Sequence, residues 1–351
     1  MVHWLHFCKH GFRISQKHLK TKISSQRPLR GGRDACKMQI DAISPLSIHT
    51  LIQSNLFCSI CGGDMSRGLT RSDIVKGSED ARLNIKALRS QAKNADPDTS
   101  HVIVIRDKNV IDNHHRVNDL KLKEMVDLAL TSLTNADTPQ TAWKRLFTPQ
   151  DIVGLVPTPH LNPTHKELVD IVRDALMNIG IKENRILMAQ GGPEKVKACT
   201  SLVAMPALKA HWLTGIGTVL KNYIMYSGEP SKYHHQDSAK LGEIWKMPHV
   251  KNKTKLILVD ALYPLCDKGP QPDPRYKWFY KGIIAGIDPV AVDTVGVAIL
   301  TRKRAELKGE PWPLSPPPLC VEEADKTYHL GTSNPEKIYL ESLGWQENVL
   351  I

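Results

Sequence analysis

The sequence predicts an α/β fold: a mostly parallel sheet with helices on both faces, in Rossmann-like layers, forming one main domain. Three observations predict it. Short, wholly apolar runs such as His101-Val-Ile-Val-Ile-Arg106 and Lys255-Leu-Ile-Leu-Val259 recur along the chain, the pattern of strands buried on both faces. Segments with apolar residues at helical spacing alternate with those runs, which favours parallel strands joined by helical crossovers. Several of the runs end in polar residues, Asp260 and Asp288 among them, at the strand ends where open α/β sheets place their ligands.

The elements follow in order. His101–Arg106 is the first strand, and Leu120 to Leu133 repeats apolar residues at helical spacing. Thr141 to Phe147 forms a second short helix, and Asp151-Ile-Val-Gly-Leu-Val156 a strand. Thr164-His-Lys-Glu167 has the form of a capping box, in which Thr and Glu side chains satisfy exposed amides at a helix start. That helix runs through Leu168, Val172 and Leu176 and stops at Gly180. Arg185–Met188 and Leu202–Met205 are the next strands, and a helix is expected from about Thr214 to Tyr226. Lys255–Val259 and Gly282–Ile287 are strands, each followed by an aspartate. Asp288 and Pro289 suit the cap and first position of the next helix. Residues 305–320 are rich in proline and read as an ordered surface loop. The tail holds a short helix, a turn at Asn334-Pro335 and an edge strand at Lys337–Leu340.

Charge divides the chain. The whole protein of 351 residues carries a net charge of +11. Residues 1–72 hold eleven Lys and Arg against Asp34, Asp41 and Asp64, and account for +8 of it. A body that is nearly neutral argues against a nucleic-acid surface. Residues 1–98 are therefore read as a basic, disordered extension and 99–351 as the folded domain. The first 40 residues have the composition of an organelle transit peptide or of a basic tail, and Met65 is a plausible alternative start. Cys58-Ser-Ile-Cys61 lacks the second pair that a zinc site needs, and seven cysteines without framework spacing do not form a secreted disulfide scaffold. No apolar run approaches the roughly 20 residues of a membrane span.

The densest chemistry lies between Lys209 and Asn222. Lys209, His211, Thr214, Lys221 and Asn222 are punctuated by Gly215 and Gly217. Lysines supply charge, and glycines let backbone amides approach an anion. Asp293 lies one turn into a helix on its apolar side, where a carboxylate wants a partner; Lys209 or Lys221 could supply one. His234 follows a loop with Gly228 and Pro230. His211 and His234, joined by Asp260 or Asp293, offer a second reading as a metal site.

Pro206-Ala-Leu-Lys-Ala-His211, Gly217-Thr-Val-Leu-Lys-Asn222, Lys232-Tyr-His234, Leu258-Val-Asp-Ala261, Gly269-Pro270 and Asp288-Pro-Val-Ala-Val-Asp293 occur in that order. With Trp143–Phe147, Asp151–Gly154 and Thr164-His165, this ordered set resembles the domain of unknown function 362 family, from about residue 101 to the end. Members of that family are often exported by the twin-arginine route or fused to ferredoxin-like iron–sulfur modules, so the resemblance implies a redox or iron–sulfur partner. Thr70–Gly77 lacks the second arginine and the apolar core of such a signal, so a cytoplasmic location is expected. Two departures stand out. The family's Lys-x-Asn after the second strand is replaced by Val156-Pro157, and the insertion after Met188 is short. The resemblance supplies no reaction and no cofactor.

The expectation is a pocket for a small anionic ligand. Lys209, His211, Thr214, Lys221, Asn222 and His234 would form one wall and Asp260, Asp288 and Asp293 the other, with His211, Lys221 and Asp293 as the catalytic candidates and His211 as general acid/base. The rival is a non-catalytic accessory or scaffold protein in which these polar residues form a buried structural network, with a mutually satisfied Lys221 and Asp293 as its mark.

Overall fold

The computed structural model describes residues 99–351. The basic extension, the Cys58–Cys61 knuckle, the start at Met65 and the Thr70–Gly77 segment lie outside the described residues.

In chain order the strands are β1 (Ser100–Arg106), β2 (Val153–Pro157), β3 (Ile186–Met188), β4 (Ser201–Met205), β5 (Ala207–His211), β6 (Gly215–Ile216), β7 (Thr254–Leu265), β8 (Gly282–Gly286) and β9 (Ile338–Gly344). The helices are α1 (Asp119–Leu133), α2 (Pro139–Leu146), α3 (Lys166–Asn178), α4 (Glu194–Lys197), α5 (Val219–Asn222), α6 (Leu241–Lys246), α7 (Pro289–Lys308) and α8 (Leu319–Lys326). The sheet runs β3-β2-β4-β7-β8-β1-β9. All of these strands point one way except β8, which is antiparallel to both neighbours. The fold is the mixed, mostly parallel α/β sheet that the alternation predicts.

Strand residues alternate between two cores, as the two-residue period of a strand requires. Val102, Leu202, Ala204, Ile257 and Val259 face the core under α5, α6, α7 and α8. Ile103, Val203, Met205, Leu256 and Leu258 face the one under α1, α2 and α3. Burial on both faces explains why the strands read as unbroken apolar runs.

Pro206 decides what happens at the centre. It has no N–H to give a ladder, and it separates two strands that pair with β7 in turn: β4 pairs with the first part of β7, up to Ala204↔Ile257, β5 takes over in the same register at Ala207↔Asp260, and the register shifts only beyond it, between Ala207 and Lys209. The Asp260 amide donates to the Pro206 carbonyl at 2.8 Å. The chain therefore does not turn into a helix after Met205. It continues as a strand through His211 and folds back through β6 in a tight hairpin. The expected helix from Thr214 to Tyr226 is corrected to this hairpin, the four-residue α5 and a turn of 3₁₀ helix. Gly215 enables the reversal. It holds φ +76, and a Cβ there would stand 2.6 Å from the Pro316 carbonyl oxygen.

The capping box at Thr164 does not form either. α3 starts after His165, with no side-chain cap. The Thr164 hydroxyl instead donates to the Met205 carbonyl at 2.5 Å and accepts from the Thr158 amide at 2.9 Å, tying the loop after β2 to the end of β4. Asp288 and Pro289 do begin α7, with Asp288 accepting from the amides of Val290 and Ala291 at 2.8 and 2.9 Å. α7 ends at Gly309 in the left-handed conformation. The edge strand expected in the tail is β9, parallel to β1.

Candidate functional site

The site lies where β2, β4 and β7 pass out of their shared ladder, at the C-terminal ends of parallel strands. β5 carries Lys209 and His211, α5 carries Lys221 and Asn222, β7 supplies Asp260, and the start of α3 supplies His165.

Lys209 is 6% exposed. Its ammonium reaches one acceptor among the described residues, the Thr158 hydroxyl at 3.4 Å, and no carboxylate within ion-pair distance. An ammonium has three donors, so two are unused. Burial, reinforced by the charge of Lys221 and opposed by Asp260, pulls its pKa down to about 7. Lys221 is half-buried, and its Nζ lies 3.0 Å from His234 Nε2. Burial lowers it to about 8. The His211 and His234 rings stack with centroids 5.9 Å apart. His211 Nδ1 accepts from the Leu213 amide at 3.1 Å. Burial, with Lys221, His234 and Lys209 nearby, lowers His211 to about 3. That lowering does not favour the general acid/base role expected of it from the sequence.

A second pair adjoins this cluster. His165 Nδ1 lies 2.7 Å from Asp260 Oδ2, and the His165 amide donates to the same oxygen at 2.7 Å. The Leu262 amide donates to Oδ1 at 3.0 Å. Asp260 is 3% exposed. Burial would raise its pKa, but the charge and hydrogen bonds of His165 outweigh that and lower it. For His165, burial is likewise outweighed by Asp260, and its pKa is raised. The imidazole is thus oriented by a buried carboxylate, and its Nε2 has no hydrogen bond within the described residues. Lys277 is half-buried, with its Nζ 4.1 Å from the centre of the Tyr263 ring, and it feels the attraction of Asp260.

The other expected residues have different duties. Asn222 donates to the Val156 carbonyl at 2.7 Å, fixing α5 against β2. Thr214 is wholly buried and donates to the Ile216 carbonyl at 2.7 Å inside the hairpin. Asp293 is also wholly buried, but it meets neither lysine. Its two oxygens accept from the amides of Val219 and Leu220 at 2.8 Å each, and burial raises it to about 7 against those two bonds. Lys221 pairs with His234, so the buried Lys221–Asp293 pair of the scaffold reading is not made. Asp288 does not join the site. Because β8 runs antiparallel, Ile283 is the residue level with Asp260, and Asp288 lies five residues further on, roughly 15 Å away at strand spacing. There it binds the Ser100 hydroxyl at 2.5 Å and the Thr332 amide at 2.9 Å.

In this geometry the donors of the metal reading carry other bonds. His211 Nδ1 is taken by a backbone amide, Asp260 by His165 and Asp293 by two amides. Among the described residues no three His, Cys, Asp or Glu side chains converge as a metal site would need. His165, Thr158 and Lys277 were not singled out in the sequence. His165 sat in plain view beside Thr164, but its position reads as a helix start, and its partner Asp260 is 95 residues away.

Residues 161–298 match the model of a family described as Domain of unknown function (DUF362). This stretch resembles the DUF362 family. The DUF362-like segment runs from just before His165 to just past Asp293 and contains both lysines, both stacked histidines and Asp260. Trp143–Phe147 and Asp151–Gly154 lie outside the match. The family's description names no activity. No curated protein and no solved structure matches the chain. Among the described residues no helix is long and apolar enough to cross a membrane.

Proposed function

We propose that the strand-end cluster binds a small anionic molecule, a carboxylate or phosphate, and that His165, held by Asp260, moves a proton on it. One observation carries the reading: the Lys209 ammonium is buried with a single long hydrogen bond and no carboxylate partner among the described residues. A buried charge without a counter-charge is costly. A bound anion would fill the empty donors of Lys209 and face Lys221, stabilising both charged forms. In this reading His165 replaces His211 as acid/base, because only His165 has a carboxylate at its back and an uncommitted ring nitrogen. The expectation of an iron–sulfur or redox partner rests on the resemblance alone and is not part of the proposal.

The test is anion-dependent stability of the full chain, with inorganic phosphate and pyruvate as separate probes. At least one should raise the melting temperature in a saturable manner, and the rise should vanish in Lys209→Met and shrink in Lys221→Ala. Equal stabilisation of all three proteins, or none with either probe, overturns the reading.

A further inference from the structure

We infer that the site takes a 2-oxo acid and that Lys209 attacks its carbonyl carbon to form a Schiff base, with Lys221 holding the carboxylate and His165 serving as the proton carrier. This inference rests on the anion-site reading above and names its substrate class.

The argument starts from the division of labour between the two lysines. Lys221 is half-buried, shares its Nζ with His234 and keeps its proton to a higher pH than Lys209, so it is the better of the two as a charged anchor. Lys209 lies deeper, on a strand whose backbone is pinned at both ends of the step: the Gly217 amide donates to the Lys209 carbonyl at 2.9 Å, and the Trp212 amide to the Gly269 carbonyl at 2.8 Å. Among the described residues its Nζ is steered by the Thr158 hydroxyl alone. A desolvated amine beside a second cation gives up its proton near neutrality and becomes a nucleophile, and Lys209 has both features, burial first and Lys221 second. A simple anion needs only charge. An amine kept partly neutral beside a charged lysine suits a molecule with a carboxylate and an adjacent electrophilic carbon.

The chemistry balances with the groups present. The Nζ lone pair forms the C–N bond while the carbonyl π pair moves to oxygen. One proton passes from nitrogen to that oxygen, giving the carbinolamine. A second proton, from the His165 imidazolium, lets the oxygen leave as water while the nitrogen lone pair closes the C=N bond. The products are a protonated imine on Lys209, one water and neutral His165. Asp260 stabilises the imidazolium before that transfer and orients the ring throughout. No oxidant or metal is required.

The experiment is borohydride trapping of the full chain with pyruvate, read by intact mass and peptide mapping. The expected result is one reduced adduct on the peptide carrying Lys209, its yield saturating with pyruvate. Lys209→Arg, which keeps the charge, should lose the adduct while pyruvate still raises the melting temperature. Lys221→Ala should trap less at a given pyruvate concentration and approach the normal yield at saturation. His165→Gln should slow trapping by about 10²-fold or more, the range of general acid catalysis, and leave the final yield intact. If Lys209 stays unlabelled while pyruvate stabilises the protein through Lys221, the Schiff-base inference is wrong and the anion site stands. If pyruvate and phosphate do neither, both fall. Labelling spread evenly over surface lysines, or undiminished in Lys209→Arg, also overturns the inference.

Discussion

Arg304 and Lys209 are both buried cations, and the molecule treats them in opposite ways. Arg304, on α7, is 2% exposed. It donates to the carbonyls of Trp312 at 3.0 Å, Cys266 at 3.0 Å and Pro313 at 3.1 Å, and to the Asp267 carboxylate, while its guanidinium lies over the Trp312 ring. Four of the five donors of the planar fork are used, so it clasps the proline-rich loop to the end of β7. Lys209, on β5, is nearly as buried yet meets one hydroxyl. Evidence of the same kind separates the aspartates. Asp288 has four partners that build the junction of β1, α7 and the tail, whereas Asp260 spends one oxygen on a histidine whose far nitrogen is left open. Between the two buried cations, the saturated one marks structure and the unsaturated one a place prepared for something else.

The largest expected effect is at Arg304. Arg304→Ala leaves Asp267 unpaired and three carbonyls without their donor, and should cost about 3–5 kcal/mol in denaturant unfolding, as loss of one partner of a buried pair does. A cost in the surface-pair range of about 0–1 kcal/mol would break the contrast on its structural side. Lys209→Met is the mirror experiment. Folding stability should hold or rise, because an uncompensated buried charge is removed. Anion binding should weaken by about 1.5–3 kcal/mol, the worth of a hydrogen bond to a charged group, read by calorimetry with the anion that stabilises the wild type. A destabilised variant would mean that Lys209 is structural after all. Asp288→Ala should lower stability by about 1–2 kcal/mol through loss of the α7 cap and leave anion affinity untouched, which a binding isotherm on the folded variant checks.

A further comparison runs through pH. Lys209 is lowered from 10.5 to about 7 and Lys221 from 10.5 to about 8 in the folded chain. Above pH 7 the unfolded chain therefore holds more protons than the folded one. Stability should rise with pH across this window and level off as the unfolded lysines titrate. Asp293, raised from 3.8 to about 7, acts with the opposite sign but below that window. The groups facing Lys209 are His211 on its own strand, Lys221 on α5, Asp260 on β7 and the His165 bound to it. Of these, Lys221 acts with the same sign, and His165, raised by Asp260 against its burial, acts with the opposite one; Lys277, lowered by burial against the pull of Asp260, adds to the rise. Anion affinity should fall as stability rises, since the ammoniums lose their charge. Unfolding midpoints at the two ends of the window, with and without phosphate, test this. The rise in stability should shrink in Lys209→Met, and an unchanged slope there would show that the titrating group lies elsewhere.

Much of the fold was legible because its strands are buried on both faces. Val102–Ile105 and Leu256–Val259 could hardly be anything else, and Asp288-Pro289 announced the start of α7 by local hydrogen bonding alone. The misreadings share one cause. Thr164 looked like a cap because its sequence neighbours allow one, yet its hydroxyl is claimed by Met205, 41 residues away. Thr214 to Tyr226 was expected to be a helix, but Gly215-Ile216 pairs with Ala210-His211 as β6, and only Val219–Asn222 is α-helical. Asp288 and Asp260 looked alike as strand-end carboxylates, and the reversed direction of β8 put them at opposite ends of the sheet.

The amino-acid sequence by itself determined the layered α/β architecture, the order of most elements and the segment holding the site, because periodicity and capping are properties of neighbouring residues. Which charges are satisfied was decided only in three dimensions. β5 follows β4 along β7 and puts Ala207 level with Asp260 and Lys209 just beyond it, the start of α3 brings His165 to that carboxylate, and α7 gives Asp293 to backbone amides rather than to a lysine. Desolvation and hydrogen-bond partners depend on what surrounds a group in space, and for these residues the surroundings come from distant parts of the chain.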